Sequence, residues 1–70
     1  MAASMKQMAA RRRVQRIPRA EIQRRLGCSD SWLRWLELGL YTGPCVADWR
    51  ARYEHELNDA IEERKARVTG

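Results

Sequence analysis

From Pro18 onward the apolar residues recur at helical rather than strand spacing, and glycines cut the pattern into segments. Ile22 and Leu26 stand four apart and the segment ends at Gly27. Leu33 and Leu36 stand three apart in a second segment that ends at Gly39. Ser29 has the chemistry of an N-cap for that segment, and Asp30 in its first turn suits the positive end of a helix dipole. After a connector over 40–44, Val46, Trp49, Tyr53, Leu57, Ala60 and Ile61 follow at steps of three and four. This stripe predicts one long last helix from about 44–46 to 67. Its wet side holds the i,i+4 pairs Arg50–Glu54, Arg52–Glu56 and Glu63–Arg67.

Residues 2–13 are good helix formers, and Ser4 with Gln7 has capping-box spacing. Only Met5, Met8 and alanines are apolar there, which predicts a helix that is frayed or orders conditionally. Residues 14–17 lead into Pro18 and are expected to be extended, because the position before proline disfavours helix. The expected fold is all-α, a three- to four-helix domain with a helix-turn-helix and a long C-terminal helix. Residues 1–16 form a flexible or conditionally helical basic arm, and 17–70 form the domain. The candidate core is Ile22, Leu26, Leu33, Leu36, Leu40, Val46, Trp49, Tyr53, Leu57 and Ile61, with two of the three tryptophans inside and one partly exposed. A single domain of 70 residues retains only a few kcal/mol of net stability.

Charge changes the picture. The chain carries a net +5, but Lys6, Arg11, Arg12, Arg13, Arg16, Arg19, Arg24 and Arg25 all fall in residues 1–25, against Glu21 alone. The remainder is slightly acidic. A basic segment on an acidic body seeks a polyanion: nucleic acid first, an acidic protein face or anionic lipid otherwise.

Catalytic chemistry finds no footing. Cys28, Cys45 and His55 are scattered, without metal-ligand spacing, and no phosphate-binding glycine loop is present. No enzyme activity, metal or cofactor is expected. Two cysteines without a disulfide framework point to a reducing compartment, such as the cytoplasm. No apolar run reaches the ~18 residues of a membrane span. The first twenty residues share the composition of a transit peptide, but are read as part of the working chain.

The segment R-A-E-I-Q-R-R-L-G-C-S-D-S-W-L-R-W-L over 19–36 carries the strongest signal. Ile22 and Leu26 before Gly27, then Cys28, Leu33 and Leu36, occupy offsets where two short helices can clasp across a turn. This unit resembles the helix-turn-helix family, and in particular the small excisionase and AlpA-type regulators of the MerR-like branch. The resemblance covers about 14–41. It departs at Gln23, where an alanine is usual, and the hairpin wing is missing or reduced to 41–45. It implies a second helix lying in the DNA major groove, with Ser29, Asp30, Ser31, Arg34 and Trp35 facing the duplex. Arg34 has the geometry for guanine. Arg11, Arg12, Arg13, Arg16, Arg19 and Arg24 would meet phosphates or enter the adjacent minor groove, and the last helix is a candidate homodimer contact.

The outward arc of that second helix, however, holds Asp30, Arg34 and Glu37, a sum of −1, which is poor for a phosphate-rich partner. Trp35 beside Arg34 has the composition of a protein–protein hot spot. A regulator that binds a host protein such as RNA polymerase is therefore the rival expectation, and RNA binding through the arm a third.

Overall fold

The computed structural model describes residues 4–69. Its helices are α1 (Met5–Val14), α2 (Arg19–Leu26), α3 (Asp30–Glu37) and α4 (Val46–Thr69), with no strand among the described residues. The fold is all-α with a long C-terminal helix. The expected ends at residues 2 and 70 lie outside the described residues.

Local chemistry sets the helix ends. At the start of α1 the Ser4 hydroxyl accepts from the Gln7 N–H at 3.2 Å, and the Gln7 side chain accepts from the Ser4 N–H at 2.9 Å. These two bonds complete a capping box. Ser29 caps α3 by accepting from the Trp32 N–H at 3.1 Å. α2 ends on Gly27 at φ 70°, whose N–H bonds the Gln23 carbonyl at 2.9 Å. α3 ends on Gly39 at φ 75°. There the Gly39 N–H bonds Leu36 at 3.1 Å and the Leu40 N–H bonds Trp35 at 3.2 Å, the paired closure of a Schellman motif.

The segment 14–17 differs from expectation. It is a turn, not an extended stretch. Val14 remains in α1, and Arg16 takes the left-handed conformation at φ 58°. The Arg16 N–H bonds Arg13 at 3.0 Å and the Ile17 N–H bonds Arg12 at 3.1 Å, again a Schellman closure. Proline constrains only the residue before it, so helix persists one position further than the sequence predicts, to Val14. An arginine in this conformation costs about 1 kcal/mol relative to glycine.

α1 and α2 each pack against both α3 and α4 and not against one another. α3 and α4 meet through long side chains from α4, Tyr53 and Trp49. The core joins Met5, Met8, Ile17, Ile22, Leu26, Leu33, Leu36, Tyr53, Leu57, Ala60 and Ile61. Met5, Met8, Ala9 and Arg12 are buried along one face of α1. The described part of 1–16 is thus helical, one of the two alternatives expected, and is docked on α3 and α4. Its apolar content is small, but it falls at helical spacing on a single side. Leu40, expected in the core, lies 57% exposed, because the Gly39 turn carries it outward. Val46 and Trp49 are half-buried.

The i,i+4 pairs expected on α4 are replaced by pairs between helices. Arg25 of α2 reaches Glu56 of α4 at 3.7 Å and also Glu63, besides Glu21 of its own helix at 3.6 Å. Arg64 reaches back to Glu21 at 3.1 Å. Arg52, expected to meet Glu56, instead lies 4.7 Å over the Trp49 ring and donates to the Leu26 carbonyl at 3.3 Å. That carbonyl belongs to the last turn of α2, where a cation satisfies both the hydrogen bond and the dipole.

Candidate nucleic-acid and partner-binding surface

α3 is only eight residues long, and its inner side is fixed by Leu33 and Leu36, both fully buried. At 100° per residue, Asp30, Ser31, Arg34, Trp35 and Leu38 fall on one continuous outward arc, and all five are exposed. The N-terminal half of this arc is polar and the C-terminal half apolar.

Glu37 leaves that arc. It is 5% exposed, and it accepts from Arg12 Nε at 2.8 Å, Arg12 Nη2 at 3.2 Å and the Tyr53 hydroxyl at 2.6 Å. Arg12, 7% exposed, also donates to the Ile17 carbonyl at 2.8 Å. One guanidinium therefore ties α1, its closing turn and α3 together. The expectation that Arg12 meets phosphate is corrected: its charge is spent inside the fold. Burial works against the Arg12 cation, but the hydrogen bond and charge of Glu37 outweigh it and hold the group above its ordinary range. Burial, then the same carboxylate, pushes the Tyr53 phenol well above its usual value. Burial also pushes the Cys28 thiol up, as befits a small residue in the α2–α3 turn.

The remaining predicted residues divide by what already holds them. Arg19 pairs with Asp30 at 3.0 and 3.4 Å. Arg11 donates to the Asn58 side chain at 2.5 Å and stays exposed. The Ser29 oxygen is committed to capping. Arg13, Arg16, Arg24 and Arg34 are exposed and make no ion pair among the described residues. Arg25 is held by its three carboxylates, and the hydrogen bond it donates to Glu63 raises its pKa.

Behind the arc lies an aromatic cluster. The Trp32 ring sits 4.8 Å from Tyr41, 5.6 Å from Trp49 and 6.3 Å from Trp35. Its indole N–H is buried without an acceptor among the described residues. Trp35 is 52% exposed, and with Leu38 at 49% and Leu40 it leaves large apolar surface at the C-terminal end of α3. Beside it opens a cleft of about 270 Å³ between α1 and α3, lined by Lys6, Ala9, Arg13, Glu37 and Leu38.

No family model, curated protein or solved structure matches this chain. Among the described residues, no helix is long and apolar enough to cross a membrane, and no group of three His, Cys, Asp or Glu side chains is placed to hold a metal ion. Sequence reasoning missed Glu37, Leu38 and Leu40. The burial of Glu37 depends on a partner 25 residues away, which no local pattern signals. The 5, 8, 9, 12 spacing of α1 was the one available hint.

Proposed function

We propose that this chain is a small DNA-binding regulator of the phage or mobile-element kind, acting in transcription or recombination, with α3 as the helix that enters the major groove. One observation carries the reading. Glu37 is neutralised inside the fold by Arg12, and Asp30 is paired with Arg19, so the unpaired charge on the outward arc of α3 is Arg34. The electrostatic objection to this face, a sum of −1, is removed. Ser31 in the first turn and Arg34 one turn further along the same side of α3 stand exposed, where a groove-bound helix can touch base edges. Arg13, Arg16 and Arg24 supply cations for phosphate. Arg16 adds a further sign: a non-glycine residue kept in a left-handed turn at a conformational cost is often there for its side chain.

The test is a fluorescence titration of labelled duplex DNA against salt. With about four phosphate contacts, log affinity falls with log salt at a slope of about −3 to −4. Arg16→Gly is expected to stabilise the fold, by up to about 1 kcal/mol, while weakening DNA binding. Absence of binding at low salt, or an Arg16→Gly variant that binds as tightly as the parent, sinks the reading.

A further inference from the structure

The C-terminal end of α3 is built differently from the end assigned to DNA. Trp35 and Leu38 are one turn apart on the outward arc, and the Gly39 closure sets the Leu40 backbone against that of Trp35. Three half-exposed large apolar side chains so close together are more than scattered surface apolar residues, and such patches mark interaction sites. Leu38 also lines the cleft against α1, so the patch runs on to Ala9 and the cations Lys6 and Arg13. Arg34 borders it on the other side. Glu37, the one acid in the cleft, is consumed by three donors.

We infer that this patch and cleft form a docking groove for an acidic amphipathic helix of another protein. Leu or Phe side chains of the partner, at i, i+3 or i+4, and i+7, would lie on Trp35, Leu38 and Leu40, with its carboxylates facing Arg34, Arg13 and Lys6. Charge selects this occupant over a second copy of the chain. Copies joined through the same patch by a two-fold axis bring like cations together. The three side chains also fall far short of the ~800 Å² per partner of a standard stable interface.

The inference does not depend on the DNA reading, and its test contains no DNA. The probe is a 17-residue capped peptide of Leu, Ala and Glu with leucines at helical spacing. The control has the same composition, scrambled to lose the apolar face. Tryptophan fluorescence of the full chain follows the titration. The amphipathic peptide is expected to bind saturably and at least tenfold tighter than the scrambled one. Leu38→Ser, Leu40→Ser and Arg34→Glu should each weaken it about tenfold while keeping the helical circular dichroism. Leu40 lies outside the helices, so its variant serves even where Leu38→Ser disturbs α3. Equal binding of both peptides, no binding, or a sedimenting dimer that Leu40→Ser abolishes would each overturn the proposal. The last outcome would put a second copy in the groove.

Discussion

Glu37 and Leu38 are consecutive residues whose placements reverse the usual preference. The carboxylate is inside, held by Arg12 and Tyr53, while the leucine beside it faces solvent with Trp35 and Leu40. The two regions are two sides of one short helix, and they serve different ends. The ionic knot fixes where α1 sits: Arg12 bonds both Glu37 of α3 and the carbonyl of Ile17, the residue whose N–H closes α1. Such a knot is a costly way to hold a helix, because two ions must leave water. Its return is positional, since few other arrangements of α1 satisfy both charges. The apolar side leaves Trp35, Leu38 and Leu40 about half exposed.

The comparison can be broken most severely at Arg12. Arg12→Ala leaves a buried carboxylate without its cation and is expected to cost about 3–5 kcal/mol. In a domain this small that unfolds much of the population, visible in far-UV circular dichroism melts. The double variant Arg12→Met with Glu37→Leu should recover most of the loss, because it removes both ions together. A cost below about 1 kcal/mol for Arg12→Ala would mean that water reaches the pair.

Tyr53→Phe is a smaller lesion, about 1.5–3 kcal/mol for a hydrogen bond to a charged acceptor. It also changes the pH response. The folded phenol titrates above its unfolded value of about 10. The stability it contributes is therefore complete below about pH 10 and is lost as pH rises towards the folded value. Urea midpoints between pH 7 and 11 should fall on the alkaline side for the parent and much less for Tyr53→Phe.

The smallest effect is expected on the exposed side. Leu38→Ser should change stability within about 0.5 kcal/mol, a shift in Tm of no more than about 4 °C. A larger loss would show that Leu38 is packed, and the contrast between the two sides would disappear.

What was legible in the sequence was what local chemistry decides. Gly27, Ser29 and Gly39 mark the ends of α2 and α3 because left-handed turns and capping oxygens act over a few residues. The stripe on α4 reads correctly for Tyr53, Leu57, Ala60 and Ile61, which are all buried. Long-range decisions were not legible. Whether α1 docks depends on two methionines finding a surface made by other helices, and on Arg12 finding Glu37. The same limit applies to the surface: Ser31, Arg34 and Trp35 are exposed as the helical wheel requires, yet the sign of their face depended on where Glu37 turned. Leu40 shows the opposite failure. Its hydrophobicity argues for burial, but the backbone leaving Gly39 points it away.

The cluster around Trp32 gives the molecule an optical gauge of its own assembly. Trp32 of α3, Trp49 of α4 and Tyr41 of the connector are brought within contact range only when those three parts close together. Near-ultraviolet ellipticity should therefore report that closure as a single signal, while the half-exposed indole of Trp35 answers separately to whatever approaches from outside.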